Sequence, residues 1–456
     1  MTLHEAARGL RERRFSSVEL TQACLDRVAD LDDRIGAFVA VTPDEAMNAA
    51  NAADRSFTAG RATTRLTGIP IGVKDIIDTA SVRTTANSHV WHDRVPRRDA
   101  SVVARLKRSG AVGIGKLQTN EFAIGRVGDG DLQGPPRNPW RLDRSTGGSS
   151  SGPAAAVAAG MCFGAIGTDT GGSIRAPASH CGVVGLKPTV GRVSRHGVAM
   201  LSWTLDHVGP LARSTADVAV ILERIAGRDR HDRLSSRRRV PSYESAMTGS
   251  VDGLKIGVPE AYLATVDLQE DVVASFRDSV TALQRSGAAV GPVEFPALPL
   301  SAVLDPIVLT EAASIHHVRL SRGEPYGRGF LERMALGLTY SGVDYAHALR
   351  GRAKFIADMR RLMKTVDLLV MPTMSVTAPP QDTDIDAVRS PFTGHFNVSG
   401  QPAITIPCGR DRDGLPIGLH LVGRWFDEAT VLRAARVCEK AFGPLSPPWA
   451  RGAVTQ

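Results

Sequence analysis

Apolar positions along the chain change their period several times, and each change marks an element. After Ser16, residues Leu20, Cys24, Val28 and Leu31 recur every three or four places, the spacing of one helical face. Ser16 and Glu19 stand three apart, so the hydroxyl can cap a backbone N–H while the carboxylate reaches back, and a helix is predicted to start there. Over residues 66–75 the run LTGIPIGVKD alternates β-branched residues with Gly and Pro, which predicts a short strand ending at Lys74. A helix follows over 101–108, stopped by Gly110, with a strand at 111–114 behind it. Further strand-like runs at 254–258, 368–371, 404–407 and 419–422 lie between stretches of helical period. The last helix starts near Asp427, carries Val431, Ala435, Cys438 and Phe442 on one face, and stops at Gly443.

Strands alternating with helices imply an α/β layered domain. The chain reads as one domain over 1–456, with an N-terminal helical segment to about residue 60, a core over about 65–227 and a C-terminal part over about 251–456. The break between the last two, about 228–241, is Arg-rich and reads as a surface connection. Its run RDRHDRLSSRRR holds no aromatic residue and interrupts its own charge with Asp229 and Asp232, so the net charge of +8 does not point to nucleic acid. At 43% hydrophobic and 22% charged residues, the chain can bury a sizeable core and is neither disordered nor collagen-like. Its longest weakly polar run, 153–167, is too short and too rich in Gly and Ala to span a membrane, and no apolar stretch or cleavage site follows the N-terminus, so a cytoplasmic location is expected. Five scattered cysteines without metal-ligand spacing suggest neither a disulfide framework nor a zinc site.

Three patterns compete for the chemistry. Residues 110–116, GAVGIGK, begin like a phosphate-binding loop, but Leu117 stands where a Ser or Thr must hold magnesium, and a helix rather than a strand precedes them. Residues 148–152, GSSSG, place Ser150 at the centre of a G-x-S-x-G pattern; a nucleophile elbow needs a buried strand just before it, and Arg141, Asp143, Arg144, Ser145 and Thr146 stand there instead. The third pattern is the whole of 147–189, where GGSSSG and TGGS flank an Ala-rich helix beginning near Pro153, whose fixed φ suits a first helical turn. Gly and Ser make turns in most proteins. Two such clusters framing one rigid helix also supply what acyl transfer requires: a nucleophile, a proton path and converging backbone amides.

Over about forty residues, 147–189 closely resembles the amidase signature family. GIPIGVKD (68–75), TNEFAIG (119–125), RNPW (137–140), FNVSGQPAITIPCG and GLPIGLHLVG extend the resemblance over most of the chain, weakening between about 228 and 366. It implies the family's fold, a mixed, mostly parallel twisted sheet with helices on both faces. It also implies a Ser, cis-Ser, Lys triad, carried here by Ser173, Ser149 and Lys74, with an unusual cis peptide beside Ser149. In that scheme Ser173 attacks a carbonyl, Ser149 relays the proton, and Lys74 must be neutral to accept it. Burial among Ile69, Ile71 and Val73 would lower its pKa, and Asp75, the next residue along a strand, should face away. The amides of Thr170, Gly171, Gly172 and Ser173 are expected to form the oxyanion hole, with Asp169 and Arg175 holding the loop and Ser150 as a supporting hydroxyl. One departure from the family pattern is Ser151 where GGSSGG has Gly.

The implied activity is hydrolysis of a small carboxylic amide, ester or carbamate by a monomer or homodimer, without metal, organic cofactor, nucleic acid or membrane. Residues 309–352, with EAASIHH and DYAHALRGR, look more like free-standing hydrolases than like the tRNA-linked members. The alternatives are an A-type subunit of a glutamyl-tRNA amidotransferase and an esterase using Ser150. Phe122, Ile124, the loop around Trp203 and residues 306–342 are the candidate pocket walls.

Overall fold

The computed structural model describes residues 1–62, 64–125, 131–383 and 389–443, with 445 and 447; the end of the 251–456 segment lies outside them. The first predicted cap is present: Ser16 Oγ accepts from Glu19 N at 3.0 Å, and the Glu19 carboxylate accepts from Ser16 N at 2.7 Å. The helix Ser17–Ile35 runs from it and buries Leu20, Cys24, Val28 and Leu31. At the other end of the chain, Asp427 caps the helix Glu428–Phe442, which stops at Gly443.

In chain order the strands are Phe38–Val41 (β1), Pro70–Lys74 (β2), Val112–Leu117 (β3), Arg137–Asn138 (β4), Arg141–Ser145 (β5), Gly164–Asp169 (β6), Val184–Lys187 (β7), His207–Ala212 (β8), Lys255–Val258 (β9), Ala289–Pro292 (β10), Leu368–Pro372 (β11), Ala403–Arg410 (β12) and Pro416–Gly423 (β13). Eleven of them form one mixed sheet in the order β1-β3-β2-β6-β8-β7-β12-β13-β11-β9-β10, while β4 and β5 pair separately. The expected parallel pairing holds in two blocks, β3-β2-β6 and β11-β9-β10. Between them the strands run antiparallel, and the short connection joining β12 to β13 leaves no room for a crossover helix there.

Successive side chains on a strand face opposite sides, and the core divides accordingly. On β6, Ala165 joins the apolar cluster that holds Val112, Ile114 and the helix Ser151–Ala158, whereas Ile166 joins the larger cluster that holds Ile69, Ile71 and Val73. Both faces of the sheet are thus packed by helices. The parallel neighbours β2 and β6 pair with Val73 opposite Ile166, so Lys74 and Thr168 emerge together at the carboxyl ends of their strands. Crevices at such ends are where open α/β sheets bind ligands.

The Arg-rich stretch has no helix or strand between Ile225 and Tyr243. Its two acids are its anchors: Asp229 accepts from Ser194 Oγ at 2.6 Å, and Asp232 accepts from Arg195 N at 2.9 Å. Among the described residues, no helix is long and apolar enough to cross a membrane.

Candidate active site

Lys74 is fully buried at the end of β2. Its Nζ lies 2.8 Å from Ser149 Oγ, 2.8 Å from Thr168 Oγ1 and 3.1 Å from Ser150 Oγ. Burial penalises the charged amine and lowers its pKa from 10.5 to about 7; Asp169 and Asp206 act in the opposite sense without cancelling that cost. Asp75 faces away, as the strand geometry requires. It accepts from Thr85 N and Oγ1 at 2.9 and 2.6 Å and pairs with Lys116 at 3.3 Å. Lys116, the lysine of GAVGIGK, is therefore an interior partner that also donates to Ile77 O and Thr84 Oγ1, not part of a phosphate loop.

The peptide bond between Gly148 and Ser149 is cis. Ser149 is buried against Lys74, while Ser173 is half-buried, and both line the same cavity. The Ser173 hydroxyl has no hydrogen-bond partner among the described residues. Ser150, by contrast, is fully buried and its hydroxyl donates to Thr168 O at 3.0 Å. That bond, together with the placement of β5 in a separate two-stranded sheet, overturns the nucleophile-elbow reading and the esterase built on Ser150.

Asp169, at the end of β6, organises the loop that follows. Its carboxylate accepts from Gly172 N at 2.9 Å, Ile174 N at 3.0 Å, Arg175 Nε and Nη2 at 2.9 and 2.8 Å, and Asn397 Nδ2 at 2.9 Å. Burial alone would raise this carboxyl, but the Arg175 guanidinium, with Lys187 and Asn397, more than offsets it and holds the group well below the usual carboxylate range. Asp169 and Arg175 thus join both ends of this loop. The expected oxyanion hole needs a correction: the Gly172 amide is committed to Asp169, which leaves Thr170, Gly171 and Ser173 as amides without a hydrogen-bond partner among the described residues. Thr170 Oγ1 donates to buried Asp206 at 2.6 Å, and Asp206 also accepts from Leu201 N and Ser202 N at 2.8 and 3.1 Å, tying this loop to the cavity wall.

The cavity is about 250 Å³. Leu201, Leu304, Val308, Leu309, Ile124 and Met374 make much of its wall apolar, and Asp305, Arg333 and Arg389 put charge on it, with Arg389 paired to Asp305 at 2.7 Å. Of the walls expected from sequence, Ile124 and part of 306–342 are present. Phe122 instead packs edge-on against Trp91 and His316, and the loop around Trp203 reaches the cavity through Leu201. Asn120 Oδ1 is buried on this wall without a hydrogen-bond partner. Sequence reasoning misses Asn120, Thr168 and Asp206; Asn120 stands in the recognised stretch TNEFAIG and Thr168 in 147–189, and only Asp206 lies outside both.

The Ser151 departure is benign, because its Oγ only faces Gln118 O at 3.5 Å. Gly152 is different: a Cβ there would lie 2.3 Å from Gln118 N and 2.5 Å from Ala37 O, backbone atoms that cannot give way. Gly152→Ala is expected to cost roughly 1–3 kcal/mol of stability by overpacking, while Ser151→Gly stays close to wild type; thermal melting of the two variants checks this.

A family model described as Amidase matches residues 19–432. By sequence, the chain is 38% identical to the A-type subunit of the glutamyl-tRNA(Gln) amidotransferase from Geobacter metallireducens, with 97% of each chain covered. By structure, it is similar to the native peptide amidase from Stenotrophomonas maltophilia, with TM-score 0.86, 31% identity and 98% of each chain covered. It is also similar to a protein solved as part of a vestigial complex that bears on the origins of an s-triazine catabolic enzyme, with TM-score 0.92 and 30% identity, covering 98% of this chain and 100% of that one.

Proposed function

The chain belongs to the amidase family, and on that premise we propose that it breaks a carboxamide C–N bond through an acyl-enzyme on Ser173. The observation that supports this most is the buried Lys74 amine within 2.8 Å of Ser149, whose pKa burial lowers to about 7. A neutral amine has two N–H donors and one lone pair. Because the Ser150 proton is already given to Thr168 O, Ser150 Oγ is an acceptor toward Lys74. With the second N–H on Thr168 Oγ1, the lone pair is left for the Ser149 hydroxyl.

Ser173 Oγ then attacks the carbonyl carbon while its proton passes to Ser149 and the Ser149 proton to Lys74. The oxyanion forms where the Thr170, Gly171 and Ser173 amides are free to donate. When the C–N bond breaks, the proton returns from Lys74 through Ser149 to the departing nitrogen. Water repeats the sequence on the acyl ester and releases the acid. Asn120 Oδ1, an acceptor without a donor, suits a substrate N–H, which an amide offers and an ester lacks.

The two candidate settings for this chemistry differ in where the nitrogen goes. Identity of 38% over 97% of the chain with an A-type amidotransferase subunit supports that reading better than the free-standing hydrolase that residues 309–352 suggest. The apolar wall of the cavity and the likeness to a peptide amidase support the free-standing reading. Ammonia release by the chain alone from primary carboxamides, glutamine included, is the test. Turnover without a partner establishes the free-standing hydrolase, and turnover only with partner subunits establishes the other. Failure under both conditions, with no acyl-hydroxamate on adding hydroxylamine, rejects the proposal.

A further inference from the structure

We infer that Thr393, 220 positions beyond the nucleophile in sequence, is a positioning residue that aims the oxyanion-hole amides; this rests on the acyl-enzyme reading of Ser173. Thr393 is fully buried, and its Oγ1 donates to Gly171 O at 2.7 Å. The same peptide unit ends in the Gly172 N–H, which donates to Asp169 at 2.9 Å. Both polar ends of the Gly171–Gly172 peptide are therefore held, and its plane cannot rotate without breaking one bond or the other. A peptide is rigid, so fixing this one constrains the flanking units, whose Gly171 and Ser173 N–H groups have no partner among the described residues and belong to residues that line the cavity.

The clamp is itself anchored. Arg175 Nη1 donates to Thr393 O at 3.0 Å, Thr393 N donates to Ser390 Oγ at 3.2 Å, and Asn397, one helical turn on, donates to Asp169 O at 3.0 Å. The fit leaves no slack. Gly172 has φ +135°, and a Cβ there would lie 2.3 Å from Thr393 Oγ1, so the absence of a side chain at 172 is what admits the threonine. Asp169 and Arg175 hold the loop from beneath. Thr393 is the group that fixes the Gly171 carbonyl, and the orientation of an oxyanion donor depends on the peptide next to it.

The test needs no knowledge of the substrate. A fluorophosphonate phosphonylates the serine and places its P–O oxygen in the oxyanion hole, so its second-order labelling rate reads the hole directly. Thr393→Val keeps the shape but deletes the hydrogen bond; it is expected to slow labelling of Ser173 about 10- to 100-fold, with the pH midpoint of labelling unchanged and the melting temperature lowered only by the unpaired Gly171 carbonyl, the protein staying folded at the assay temperature. Thr393→Ser, which restores the hydroxyl, is expected to return the rate to within about threefold. If wild type labels on Ser173 and the valine variant labels equally fast, or the serine variant is as slow as valine, the inference is overturned while the acyl-enzyme reading stands. If wild type does not label on Ser173 at all, both fail.

Discussion

Replacing Ser173 by alanine is expected to abolish covalent capture and to lower kcat/KM by on the order of 10⁴- to 10⁶-fold, the scale seen when a nucleophile is removed from a set of groups that act as a unit. No neighbouring hydroxyl can substitute. Ser149 is spent on Lys74, Ser150 donates to Thr168 O, and Thr170 donates to Asp206. Ser173 is the one of these four whose hydroxyl has no partner among the described residues, and it lines the cavity. Binding is expected to survive, because the apolar wall from Leu201 to Met374 is untouched. Turnover assays give the rate, and mass spectrometry after fluorophosphonate treatment gives the adduct. An adduct on Ser150 of the variant at the wild-type rate would contradict this assignment.

Lys74→Met is expected to cost on the order of 10³- to 10⁵-fold in kcat. Methionine fills the same apolar channel but offers no lone pair, so the Ser149 proton has nowhere to go. The pH profile separates this cause from a packing defect. With the amine titrating at about 7, the wild-type rate should fall about tenfold per pH unit below that value, as the lone pair is lost to protonation, and level off above it. The methionine variant should keep its small residual rate nearly flat over the same range. A profile in the variant that still falls below pH 7 would mean that another group supplies the base.

Much of the site is legible in the sequence because its signals are local. Lys74 ends a strand whose pattern is visible in GIPIGVKD, and period-two geometry alone places Asp75 on the other side. Ser149 and Ser173 sit in Gly-rich loops flanking a helix of small residues. Asp169 and Arg175 are six apart in one segment, so their pairing is a short-range matter. The groups missed are those whose meaning depends on distant chain. Thr393 and Asn397 reach the catalytic loop across more than 200 residues of intervening sequence, as separations of 222 and 228 positions from their partners record. A lone Thr or Asn carries no periodic pattern that would announce such a contact. The Gly172 amide cannot be assigned to Asp169 without the fold of the turn, and the antiparallel centre of the sheet pairs strands such as β6 and β8 that are not neighbours in sequence, which hydrophobic periodicity does not report. Phe122 is misread as a pocket wall for a similar reason: a large apolar residue looks the same in sequence whether it faces a cavity or, as here, Trp91 and His316.

The direct measurement is an NMR titration of the lysine side-chain amines in uniformly lysine-labelled protein, with the Lys74 resonance assigned by its loss in Lys74→Met. A midpoint near pH 7, well below the ordinary lysine value of about 10.4, is the expected result, and it would establish that a large share of the amine beside Ser149 is uncharged near neutral pH. A Lys74 amine that stays protonated up to pH 10 would contradict the proposed proton path at its first step.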